Sequence, residues 1–241
     1  MRTMLVMVAV ATLGMSAFAA WFFFGGPEDD PTRVRLRAQE ARIEALRPRV
    51  ESGDVVAQYA LGRLYHQGGI ETQDFAQAFH WYSEAAAKGH AGAQYAIGSM
   101  YAKGEGVKQS YFRAAEWYRL AANLGGNADA RLALGELYFH GRGVPNDYAE
   151  ARAWYRKAAD QGHPVAQHLL AAMYRDGWAG EHDPVEAYKW FTLAMRNRAA
   201  VMAHDPGLDP RAARARIAEG MTQDQLKRAE DAARAWRATP R

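Results

Sequence analysis

Residues 130–162 read ARLALGELYFHGRGVPNDYAEARAWYRKAADQG. Moved along the chain, this stretch finds itself four times. Tyr65, Tyr101, Tyr138 and Tyr174 form one column, and Trp81, Trp117, Trp154 and Trp190 form another. Both columns advance by 36, 37 and 36 residues, and the additional residue falls at the Gly125-Gly126 junction. Further columns keep the same step: Ala57, Ala93, Ala130 and Ala166; Gly68, Gly104, Gly141 and Gly177; Ala78, Ala114, Ala151 and Ala187. A repeat of this length contains one pair of short helices. A single pair cannot bury its apolar face, so copies must stack to share a core.

Each column has a physical reading. Ala57, Leu61, Leu64 and Tyr65 follow the spacing of one helix face. Gly62, Gly98 and Gly135 lie on that helix, where glycine costs about 1 kcal/mol relative to alanine. Close approach of a neighbouring helix is the expected return, with Ala171 in that place in the fourth copy. Gly68, Gly104, Gly141 and Gly177 follow the last apolar residue, where a helix ends in left-handed backbone. Asp74, Ser110, Asp147 and Asp183 precede the second helix and are predicted to cap its N-terminus. The second helix carries Trp154 and Tyr155 beside Ala158 and Ala159, large rings against small residues, which suits close packing. Gly53, Gly89, Gly125 and Gly162 are predicted to close each second helix. The exact period of the tryptophans reads as core rather than as an aromatic cage.

This pattern of Ala, Leu-Gly, Tyr, Gly-x-Gly-Val, Asp, Ala, Trp-Tyr, Ala-Ala and Gly resembles the Sel-one-like repeat family, a branch of the tetratricopeptide-like solenoids. The resemblance covers roughly residues 45–198. It departs at Gly68-Gly69-Ile70 and at Gly177-Trp178-Ala179-Gly180, and Arg198 stands where a closing glycine is expected. It implies an all-α fold: a right-handed α/α solenoid of about four helix-turn-helix repeats with a C-terminal helical cap. The expected division is an anchor or signal sequence over 1–24, a linker and leading half-repeat helix over 25–52, four repeats over 53–198 and capping helices over 199–241.

Ahead of the repeats, Met4 to Phe24 is uncharged and long enough to span a hydrocarbon core. Ala17-Phe18-Ala19 offers a signal-peptidase alternative, although the apolar run continues through Trp21 to Phe24. The expectation is a single-pass bacterial inner-membrane protein with periplasmic repeats, or a soluble periplasmic one after cleavage. Gly26 to Pro31 reads as a linker. The helix that follows carries Leu36, Ile43, Leu46 and Val50 on one face, and Pro48 is expected to kink it. Beyond Arg198, Asp209-Pro210 reads as a helix start and Gly220 as its stop. Thr222 with Gln225 forms a capping box, and Met221 with Leu226 a staple, for a last helix over 223–236.

The net charge of +3, with acids and bases interspersed, gives no argument for nucleic acid. The absence of cysteine excludes a disulfide-stapled fold. No phosphate-binding loop, dinucleotide fingerprint, zinc-protease helix or nucleophile elbow occurs. His163 and His168 make a poor metal pair, and His90 and His163 hold equivalent junction positions that suit a turn. No catalytic residue, metal or cofactor is therefore expected.

What varies among the copies is one stripe of the first helix. It runs Tyr59, Arg63, His66; Tyr95, Ser99, Ala102; Leu132, Glu136, Phe139; His168, Ala172, Arg175. In tetratricopeptide-like solenoids the first helices line the concave surface. A mixed aromatic and charged stripe there suits a protein or peptide partner, and equally an ordinary solvated face. The resemblance thus implies a membrane-tethered scaffold or adaptor. An accessory structural subunit is one alternative, since Ala9, Ala11, Gly14 and Ala17 form a small-residue stripe. An envelope enzyme or cell-wall-fragment binder is the other.

Overall fold

A computed structural model describes residues 30–68 and 73–239 of the chain. Met4 to Phe24, the Ala17-Phe18-Ala19 motif and the linker from Gly26 lie outside the described residues, as does Gly69-Ile70. Among the described residues there is no strand, and no helix is long and apolar enough to cross a membrane. Contacts divide the chain into two compact units, with the division between Ala78 and Phe79.

The first unit holds α1 (Pro31–Glu51), α2 (Val55–His66) and the first turn of α3 (Phe75–Ala87). Asp30 caps α1 through the Thr32 N–H, and Pro31 takes the first helical position, where no N–H is needed. The helix runs on through Pro48 to Glu51. It packs on α2, and Gln39 donates to the Leu64 carbonyl at 3.2 Å.

In the second unit, α3 is followed by α4 (Ala91–Lys103), α5 (Tyr111–Asn123), α6 (Ala128–His140), α7 (Tyr148–Asp160), α8 (Pro164–Asp176) and α9 (Pro184–Ala194). From α4 to α9 each helix packs on the next in the chain, the contact pattern of a solenoid. The predicted core columns are buried: Ala93, Ala130 and Ala166; Ile97, Leu134 and Leu170; Met100, Leu137 and Met173; Ala114, Ala151 and Ala187.

The interhelix glycines have a specific partner. A methyl on Gly98 would stand 2.6 Å from the Tyr118 ring, and one on Gly135 would collide with the Tyr155 ring. The deepest aromatic column is therefore not the tryptophans but the residue after each. Tyr82, Tyr118, Tyr155 and Phe191 are all buried, whereas Trp81 and Trp117 are half-buried, Trp154 is buried and only Trp190 is fully enclosed. The fourth repeat changes both members of the pair, to Ala171 and Phe191.

The caps recur as predicted and more extensively. Asp74, Ser110, Asp147 and Asp183 each accept a backbone N–H of their own second helix. Their own N–H groups donate back to the carbonyls of Tyr65, Tyr101, Tyr138 and Tyr174 at 2.9–3.0 Å, closing each interhelix loop. A second capping column precedes the first helices. Asp54, His90, Asn127 and His163 accept from Ala57, Ala93, Ala130 and Ala166. The two junction histidines are thus N-caps that accept through Nδ1. Gln94, Arg131 and Gln167 reach back one helix to the carbonyls of Ala86, Ala122 and Ala159, which a helix end would otherwise leave unpaired. At the third junction the left-handed residue is Gly126 (φ 60°) rather than the expected Gly125. Gly125 instead leaves room for Ala91.

The end of the chain contains one helix more than expected. A 3-10 turn at Met195–Asn197 leads into α10 (Arg198–His204), with Asn197 as its cap. Then come α11 (Pro210–Ala218), capped by Asp209, and α12 (Gln223–Ala235), with the predicted capping box in place. Glu219, not Gly220, is the C-cap of α11. Both α11 and α12 pack on α9, and α10 packs on α8.

Candidate functional site

The variable stripe does not form one uniform surface. In the first unit, Arg63 is exposed and lines a cavity of about 480 Å³ between α1 and α2, and its guanidinium lies 6.0 Å from the Tyr59 ring centre. His66 stands edge-on to Phe75 at 5.5 Å. In the second unit, Tyr95 leans on Tyr118 at 5.6 Å, and Ser99 hydrogen-bonds the Tyr118 hydroxyl.

Two residues of the stripe are corrected. Leu132 (7% exposed) and His168 (4% exposed) are buried and are not available on a surface. Leu132 joins the core that contains Tyr155 and Ala166. His168 packs edge-on to Phe191 at 5.0 Å on the helix that α10 covers. Burial, with Arg175 nearby, brings the His168 imidazole down to about 4. Its Nδ1 finds no hydrogen-bond partner among the described residues.

Glu136 and Phe139 remain together, and around them the stripe opens into two adjoining cavities. One, of about 320 Å³, has Phe139, Tyr155 and Trp178 as its aromatic lining and Leu169, Met173 and Leu208 as its aliphatic lining. Ala172 of the stripe also lines it. The other, of about 330 Å³, is bounded by Tyr111, Tyr118, Lys103 and Arg142. Glu136 and His140 line both. Burial pushes the Glu136 carboxyl up, and His204, whose Nε2 lies 3.3 Å from Glu136 Oε1, pulls it back. Burial likewise lowers His140, reinforced by Arg142. Arg175 holds Asp176, which lines the first cavity, through two contacts of 2.6 Å, and its guanidinium lies 6.0 Å from the Phe191 ring centre.

Trp178 and His204 complete the first cavity, and neither belongs to the stripe. The loop after α8 departs from the repeat at Ala179, which stands where Gly106 and Gly143 stand and keeps their left-handed backbone (φ 62°). A side chain there costs about 1 kcal/mol. The loop presents Trp178, 38% exposed, against Tyr148 at 4.5 Å and Phe139 at 5.5 Å. The broken Gly-x-Gly-Val pattern was the signal for Trp178. His204 comes from α10, which has no counterpart in the repeat and so left no signal. Among the described residues no group of three metal-ligating side chains comes together.

Both the repeat chemistry and its period have matches among known proteins. The Sel1 repeat model matches residues 55–90, 91–126, 128–163 and 164–197. Among solved structures, the chain is similar to c5321, a protective antigen of uropathogenic Escherichia coli strains with an SLR fold. Identity is 30%, TM-score 0.69, and the match covers 91% of this chain but 43% of that one. A Sel1 repeat protein from Oxalobacter formigenes is similar at 27% identity and TM-score 0.61, over 76% of this chain and 71% of that one. No curated protein matches the sequence. With four repeat units in register over more than half its length, the chain belongs to the Sel1 repeat family.

Proposed function

We propose that this chain is a membrane-tethered scaffold that holds a protein partner along the first helices of its repeats. Sel1 repeat proteins generally mediate protein–protein interaction. The observation that carries the reading is the pair of adjoining cavities at Glu136. Each lies within the range of about 300–1,000 Å³ typical of sites that accept a ligand group. Aromatic anchors set in such pockets commonly dominate binding energy. Met4 to Phe24 supports tethering through its length and lack of charge, and the reading places that tether in the inner membrane with the repeats in the periplasm.

The test uses full-length tagged protein extracted in mild detergent, with co-purifying proteins identified by mass spectrometry. The parent is compared with a Tyr111→Ser, Trp178→Ala double variant, which changes one partly exposed ring in each cavity rather than core. Loss of the same partner at unchanged helicity is expected. Equal retention would move the site away from these cavities. Resistance of the parent to carbonate extraction is expected for the tether; a soluble form beginning at Ala20 would replace the tether by cleavage.

A further inference from the structure

We infer that the cavity between Glu136 and Trp178 is a pocket for a basic side chain, lysine or arginine, of the partner. This rests on the scaffold reading and specifies the chemistry its site selects. Three independent features point to a cation that carries an aliphatic stem.

The first is the wall. Phe139, Tyr155 and Trp178 line one space, and ring faces attract a cation within about 6 Å of their centres. Trp178 keeps more than a third of its surface open, and Phe139 and Tyr148 pack around it. The second is charge. Glu136, Asp176 and Asp205 line the cavity and no lysine or arginine does, whereas the neighbouring cavity has Lys103 and Arg142. Arg175 already holds Asp176 and the Asp205 carboxylate accepts the Gly207 N–H, which leaves Glu136, shared with His204 and with Arg142 and His163 nearby, as the carboxylate that would receive a new cation. Its contact to His204 engages Oε1 at 3.3 Å. The third is the backbone. His140, Asp176 and His204 are the final residues of α6, α8 and α10, and all three line the cavity. Three helix C-termini, the negative ends of their dipoles, thus border one space, with loop N–H groups already pairing the Leu137, Tyr138, Phe139, Met173 and Tyr174 carbonyls. Leu169, Met173 and Leu208 supply the apolar contact that a four-carbon or three-carbon stem requires.

The probes are the Nα-acetyl amides of lysine, arginine and norleucine, the last an uncharged analogue that keeps lysine's four-carbon stem and lacks its ammonium. They are titrated into full-length ¹⁵N-labelled protein in detergent, and the Trp178 indole resonance, assigned by its loss in Trp178→Phe, is followed. The lysine and arginine probes are expected to saturate the shift at about tenfold lower concentration than norleucine. Glu136→Gln, which keeps shape and removes charge, is expected to erase most of that preference while the other indole resonances stay in place. An equal response to norleucine, or a preference unchanged in Glu136→Gln, overturns the inference. A peptide array probed with the same protein separates the two readings. Peptides retained without enrichment of lysine or arginine overturn the basic-side-chain pocket and leave the scaffold. A Trp178 shift selective for the basic probes, with no peptide retained, upholds the pocket and counts against the scaffold.

Discussion

At the scale of single residues, the repeat is enforced by contacts that tolerate little change. The ring of Tyr155 lies against Gly135, in the space a side chain would need. Gly135→Ala gains helix propensity worth about 1 kcal/mol but forces that ring out of its place, at a cost of about 1–3 kcal/mol. The expected net result is a lower urea midpoint; an unchanged or higher midpoint would mean that the ring shifts freely. His168 makes a pH-dependent prediction. Its imidazole is depressed from the usual 6.5 to about 4, first by burial and then by Arg175, against the opposing pull of Asp205 and Asp209. Between those two pH values the unfolded chain binds more protons, so stability rises with pH through this window. The contribution is complete above about pH 6.5 and is lost as pH falls toward 4, at most on the order of 3 kcal/mol. Leucine fills the corresponding place in the previous repeat, at Leu132. His168→Leu is therefore expected to unfold with a shallower loss between pH 7 and pH 4.5 than the parent, and parallel profiles would show that His168 opens to solvent without cost.

At the scale of elements, what repeats was legible and what occurs once was not. Helix starts, the left-handed ends at Gly104, Gly141 and Gly177, and the Leu134 and Ala151 columns follow from local chemistry sampled four times. The cap at Asn197 and the short α10 follow from nothing periodic, so the burial of His168 beneath that region was invisible. The tryptophan column misled for a related reason. A strict period shows that a position faces the same way in every repeat, but its depth depends on what the next helix covers. Trp190 has α11 and α12 packed on its helix and is fully enclosed, while Trp117 is half-buried. Trp190→Ala is accordingly expected to cost about 3–5 kcal/mol, as large core truncations do. Trp117→Ala should cost less than half of that. Equal losses measured by chemical denaturation would return the column to a uniform core role.

At the scale of the whole molecule, the second unit depends on its C-terminal helices. A solenoid built from sequential pairs ends on an apolar face, and that face must be closed. Here α9 meets both α11 and α12, whose Ile217, Ala229 and Ala233 enter the core that holds Trp190 and Phe191. Polar links fix the arrangement: Arg196 donates to the Ala233 carbonyl at 3.0 Å, and the Thr239 N–H donates to the Asp160 carbonyl at 2.7 Å. Trp236 stands edge-on to Trp190 at 6.2 Å. Removing residues 205–241 would uncover that face and take away Leu208 and Asp205 from the cavity at Glu136. Because each repeat draws stability from its neighbours, the damage should fade with distance from the cut. Native-state hydrogen exchange on the truncated chain is expected to show protection lost first in α9, then in α8, with α4 and α5 least affected. Uniform loss across all six helices would instead mean that the unit folds as one cooperative block. Undiminished protection in α9 would mean that α11 and α12 cover the stack without stabilising it.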